Sequence, residues 1–152
     1  QKAGMTDSGS FDLDVPIKNT ARNYWYSFET NAITENLMKQ AVKGGPAGGG
    51  YSTVGDLHRF ALSLINHQLL NAELTSQVTS AKPELHSPRY GYGFSVRGDK
   101  GNQIIGHNGA HLGMSAQLNI YRDKGYILAV LGNSADAAEP IVLATNSLMR
   151  QL

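Results

Sequence analysis

The spacing of apolar positions changes once along the chain, near residue 90. Before that point Val54, Leu57, Phe60, Ala61, Leu64 and Ile65 recur at helical spacing and form one apolar stripe. Ser52 or Thr53 caps the start of this helix, and Asp56 in its first turn suits the positive dipole end. Asn66 and His67 mark its stop. A second short helix is expected over Ala72–Ser80, capped by Asn71, with Leu74 and Val78 inward. Pro83 and Pro88 bracket a loop. Nearer the start, residues 1–30 read as loop with one short strand over Ala21–Phe28. Residues 31–43 fit an amphipathic turn and a half through Ile33, Leu37 and Ala41. Gly44–Gly50 reads as a constrained loop.

After residue 90 the period becomes two. Tyr92, Phe94 and Val96 alternate, and Asp99-Lys100-Gly101 turns the chain. Gln103–His107, Met114–Tyr121 and Tyr126–Leu131 give three further strands, the last apolar on both faces. Short connections between consecutive strands predict an antiparallel meander. A final helix is expected over Ala137–Gln151, with Ile141, Ala144, Thr145, Leu148 and Leu152 facing the sheet. Its start has two candidates, an Asp136–Glu139 capping box and Pro140 at the first helical position. Helices, then strands, then a helix describe an α+β fold.

Composition narrows the function classes. A chain of 152 residues buries roughly 70% of its unfolded surface, enough for a real core. Thirteen basic and twelve acidic side chains leave a net charge of +1. With no basic run, a nucleic-acid partner is not expected. The longest apolar stretch, Tyr126–Leu131, is too short to span a bilayer. Zero cysteines remove disulfides, thiolate metal sites and a cysteine nucleophile.

Candidate chemistry concentrates in Ile105–Gly113, where two histidines and three glycines separate two strands. Glycines allow close approach of a ligand to the backbone, and a histidine serves in acid–base or electrostatic roles near neutral pH. A glycine-rich hairpin with a surface histidine is the plainer reading of the same residues. His107 and His111 stand four apart, a metal-binding spacing on a helix, but the glycines deny a helix and no third ligand is near. No metal and no cofactor are expected. Gly48–Gly50 before a helix start resembles a phosphate cradle but lacks the Lys-Ser/Thr pair of a nucleotide loop. No G-x-S-x-G elbow exists. The Tyr24–Trp25–Tyr26 cluster either lines a cleft or simply packs.

Longer stretches carry a resemblance. PAGGGYSTVGDLHRFALSLIN, then YGYGFSV, then IIGHNGAHLGMSAQLNIYRDKGYILAVLGNS resemble the class C β-lactamase-like serine hydrolases. That superfamily includes penicillin-binding proteins, D-alanyl-D-alanine carboxypeptidases, D-aminopeptidases and esterases. The opening AGMTDSGSF also looks like a segment from the middle of that domain. The resemblance implies a β-lactamase/transpeptidase-like fold in which residues 1–88 belong to the helical region with its loops. Residues 89–152 would then be the C-terminal strands and helix of the sheet domain.

Family members acylate and deacylate a serine, using Ser-x-x-Lys, Tyr-x-Asn, and Lys-Thr-Gly or His-x-Gly. Only the third is present, as His107-Asn108-Gly109. No serine is followed by lysine three residues later, and no tyrosine by asparagine two residues later. The resemblance therefore implies the C-terminal half of a hydrolase, partnered by a missing N-terminal part of the same protein and acting on a small-molecule or peptide substrate. It leans towards an extracytoplasmic or periplasmic setting. By resemblance His107 faces serine and substrate, and Asn108 stands where threonine or serine is usual. Gly109 lets substrate lie along the strand, the Ala110 backbone N–H is the second oxyanion donor, and His111 borders the substrate. The rival class is a non-catalytic, penicillin-binding-like module that recognises peptide or cell-wall fragments.

Overall fold

The computed structural model describes residues 2–10, 12, 15, 17–36 and 43–152. Its elements, in chain order, are β1 (Tyr24–Ser27), β2 (Ala32–Glu35), α1 (Val54–Ile65), α2 (Ala72–Thr79), a 3₁₀ turn (Pro83–Leu85), β3 (Ser95–Arg97), β4 (Ile104–His111), β5 (Met114–Tyr121), β6 (Tyr126–Gly132) and α3 (Ala138–Met149). Strands β3-β4-β5-β6 form one antiparallel sheet in sequence order, and β1-β2 form a separate hairpin. This is the expected α+β meander. The second strand runs four residues further than the period implied, through Asn108–His111, because those residues pair with Met114–Gln117.

The pleat assigns a helix to each sheet face. Ile120 and Leu118 of β5 pack with Ala61 and Leu64 of α1. The alternate residues of β5 meet α3: Ser115 Oγ accepts from Ala138 N at 3.1 Å, and Tyr121 Oη donates to Asn146 Oδ1 at 2.8 Å. Successive side chains in a strand point to opposite faces, so α1 and α3 cover opposite sides. That accounts for the two-sided apolarity of β6. The core centres on Ile105 and Ile120, direct cross-strand partners, each only 2% exposed. Each such burial stabilises by about 2–3 kcal/mol.

Helix α1 matches its expected bounds. Thr53 is the cap, its Oγ1 accepting from Asp56 N at 3.1 Å. In α2 the expected cap holds, with Asn71 Oδ1 accepting from Leu74 N at 2.9 Å. Its inward face, however, is Thr75 and Thr79; Leu74 is exposed and Val78 half-buried. The hydroxyls tolerate burial because they are satisfied locally. Thr79 Oγ1 donates to Thr75 O at 2.7 Å, and Thr75 Oγ1 bonds Leu70 O and His67 Nδ1.

Two further expectations are corrected. Residues 32–35 form a strand rather than a helical turn, and Ile33 is 75% exposed. Pairing with Tyr24–Ser27, eight residues away, overrides a weak local period. Asn31 makes that reversal in the left-handed conformation, φ 51°, which asparagine tolerates. Leu37 and Ala41 lie outside the described residues. The strand foreseen over Ala21–Phe28 is confined to Tyr24–Ser27.

Helix α3 is rotated relative to expectation. Ala138 and Val142 are buried, whereas Ile141 and Leu148 are 48% and 59% exposed and Leu152 is also in solvent. Neither proposed start is used: Ala137 is the cap residue and makes no side-chain cap bond. Pro140 sits at the third helical position, where a missing N–H leaves no helical bond unmade. Ser115 Oγ takes the Ala138 N–H instead, so a bond from the sheet fixes the helix phase.

Candidate active site edge

Strand β3 pairs only with Ile104–Gly106. From His107 onward β4 therefore has β5 on one side and, among the described residues, an open edge on the other. All five residues His107–His111 are exposed. Two glycines make this geometry. A Cβ at Gly106 would lie 1.9 Å from Leu118 O, so only glycine lets β4 pass β5 there. A Cβ at Gly91 would lie 2.4 Å from Val78 O, and its absence lets the chain before β3 run against the end of α2.

The direction of the backbone groups follows from two bonds. Ser95 Oγ donates to Gly106 O at 2.8 Å from the β3 side, and Gln117 Nε2 donates to His107 O at 3.2 Å from the β5 side. Within a strand the N–H and C=O of one residue share a side, and sides alternate along the chain. Gly106 thus turns its backbone groups to β3, and Asn108 and Ala110 turn theirs to the open edge beyond it. The Asn108 carbonyl on that edge is met by His107 Nδ1 at 2.6 Å.

Side chains divide by the same pleat. His107 lies opposite Leu118 and Ile105 opposite Ile120, so Ile105, His107, Gly109 and His111 belong to the α1 face. Asn108 and Ala110 belong to the α3 face. The structure thus brings the five sequence-derived residues to one edge but separates the Asn108 amide from the His107 ring. Asn108 lies opposite Gln117, which donates to Asn119 Oδ1 at 2.7 Å. Arg97 Nη2 donates to the same Asn119 oxygen at 2.7 Å.

One neighbour of His107 was not foreseen. Tyr90 Oη lies 2.7 Å from His107 Nε2, and the rings meet edge to face with centroids 5.6 Å apart. Tyr90 is held through its backbone: its carbonyl accepts from Lys82 N and Ser87 Oγ, each at 3.2 Å, and it bridges Ser95. The only signal in the sequence was a tyrosine at the head of YGYGF, seventeen residues upstream of the histidine. The aromatic hairpin also borders this end of the sheet. Tyr24 N donates to Asn133 O at 3.1 Å, and Asn36 Nδ2 donates to Leu112 O in the β4–β5 turn.

An antiparallel sheet with one helix on each face and a histidine on an open, glycine-bearing strand edge defines the β-lactamase/transpeptidase-like class of folds. The chain belongs to the Beta-lactamase family, whose sequence profile matches residues 1–147, and so to the serine hydrolase superfamily. A penicillin-binding protein from Bacillus halodurans is similar over 97% of this chain and 45% of its own, with 27% identity and a TM-score of 0.84. The octameric penicillin-binding protein homologue from Pyrococcus abyssi superposes with a TM-score of 0.67 at 22% identity, over 94% of this chain and 35% of its own. A D-stereospecific amidohydrolase from Streptomyces sp. gives 0.67 at 20% identity, over 91% and 43%. The last two share the fold. The chain spans less than half the length of each of these structures. No curated protein sequence matches it.

Proposed function

We propose that this chain supplies the substrate-binding strand of a serine hydrolase that cleaves an amide or ester through an acyl-enzyme. The Ser-x-x-Lys and Tyr-x-Asn motifs would be carried by sequence outside residues 1–152. The observation that carries this reading is the open edge of β4. Ala110 turns an N–H towards it, which supports the oxyanion-donor role that the family resemblance gives this residue, and His107 stands two strand positions past the core residue Ile105 on the same face. An acyl-transfer site needs preorganised donors aimed at the developing negative charge, and one such donor is worth about 10²–10³ in kcat. Gly109 supports the same assignment. Among the described residues a Cβ there would meet only Ala116 Cβ, at 3.9 Å, so their packing does not require glycine, whereas a substrate lying along the edge would. The family and its structural neighbours suggest β-lactams and D-stereospecific amides as substrate classes, and the sequence resemblance adds D-amino-acid peptides and small esters.

The test is acylation. The protein carrying this chain together with a Ser-x-x-Lys segment is incubated with a β-lactam or an activated ester and digested for mass spectrometry. One stoichiometric adduct on the serine of that segment is expected, and none on residues 1–152 alone. A site-specific adduct on a serine within 1–152 overturns the assignment. Absence of any adduct in the longer protein favours the penicillin-recognising binder instead.

A further inference from the structure

We infer that Tyr90 fixes the tautomer of His107 and is itself the group through which the pair meets its substrate, the hydroxyl rather than the imidazole facing outward. This deepens the hydrolase reading and rests on it for the substrate, but the geometry of the pair stands by itself. The Asn108 carbonyl can only accept, so His107 Nδ1, 2.6 Å away, carries a proton and donates it. In the neutral ring Nε2 is then a lone-pair acceptor, and the Tyr90 hydroxyl at 2.7 Å is its donor. Two anchored partners thus select one of two tautomers that are close in energy for a free imidazole.

The arrangement leaves His107 with no unused donor or acceptor. The unused capacity is on Tyr90 Oη, which keeps its acceptor lone pairs while its proton points at Nε2. A substrate N–H or O–H reaching this edge is therefore accepted by the phenol oxygen. A proton reaches Nε2 through Tyr90: Oη accepts one from the attacking hydroxyl as its own passes to Nε2, whose N–H then donates to Oη and leaves the Tyr90 O–H free to donate outward. Proton delivery to a leaving amine or alkoxide then balances: the leaving atom gains the Tyr90 proton, Oη regains one from Nε2, and His107 returns to the Nδ1–H form. The edge-to-face contact of the rings at 88° holds the phenol in this place through packing as well as hydrogen bonding. Lys82 and Ser87 fix the backbone behind it.

The experiment is 15N NMR of the intact protein with labelled histidine, comparing wild type with Tyr90→Phe, alongside steady-state kinetics. The wild type is expected to show one His107 tautomer, protonated at Nδ1, with Nε2 shifted by a hydrogen-bond donor. In Tyr90→Phe, which keeps the ring contact, Nε2 moves to the position of an unbonded imine nitrogen. For the same variant kcat falls about 10–100-fold with little change in KM, less than the roughly 10⁴-fold lost when a buried carboxylate orients a catalytic histidine. A His107 protonated at Nε2, or an Nε2 signal that Tyr90→Phe leaves in place, overturns the pairing. If the pair shows its signature while no serine is acylated, the hydrolase reading fails and the pair survives. If acylation and kcat are unchanged in Tyr90→Phe, the pair has no part in the reaction.

Discussion

Ser8 Oγ donates to Asp56 Oδ2 at 2.6 Å, joining the opening segment to the first turn of α1 across 48 residues. Asp56 is fully buried. Its carboxylate also accepts from Asp7 N at 2.8 Å and pairs with Arg59. The Ser8 bond, together with Arg59 and the Asp7 N–H, holds its carboxyl below the usual carboxylate range against the opposing effect of burial.

A carboxyl depressed in the folded state stabilises above its unfolded value, and that stabilisation is lost as pH falls through the folded one. Asp56→Asn should therefore lower the urea midpoint most at neutral pH, with the gap to wild type closing in acid, below about pH 4. Urea titrations from pH 7 to pH 2 measure it. A constant gap over that range contradicts the assignment.

Gly106→Ala and Gly109→Ala, three residues apart on one strand, should behave oppositely. The first drives a methyl into Leu118 O and should cost about 3 kcal/mol or more. The second has open space, and alanine there should be neutral or add up to about 1 kcal/mol through the unfolded state. In the active protein Gly109→Ala should nonetheless lower kcat/KM. Thermal denaturation and rates for both variants decide the point. Equal destabilisation would contradict the edge geometry.

His107→Ala should lower kcat/KM by roughly 10²-fold or more with folding nearly intact, as expected for a group that takes and returns a proton through Tyr90. His111 stands on the same face near the β4–β5 turn, and its replacement should cost far less. Equal and small effects would remove His107-Asn108-Gly109 from the site.

The phase of α3 has its own test. Val142→Ala removes two buried methyl groups and should cost about 1–2 kcal/mol. Leu148→Ala should change stability by no more than about 0.5 kcal/mol. Chemical denaturation ranks the two; the reverse order would restore the face expected from the sequence.

The sequence by itself determined the elements whose pattern is local and strong. The α1 stripe, with Thr53 before it and Asn66 after it, needs no distant partner to be a helix. The alternation and tight turn at Arg122–Gly125 similarly lay β5 beside β6. His107–His111 stood out because five such residues between two strands have to lie at a strand end. What tertiary structure decided were the choices that the sequence leaves nearly equal in energy. Apolar residues occupy four successive positions, Ile141–Ala144, so periodicity cannot set the helix phase; Ser115 and Tyr121 on the sheet set it by bonding Ala138 N and Asn146. Residues 32–35 became a strand because Tyr24–Ser27 offered hydrogen-bond partners. Tyr90 reached His107 because β3 turns the chain back on β4. A contact across seventeen residues is a property of that path, and no single-sequence spacing encodes it.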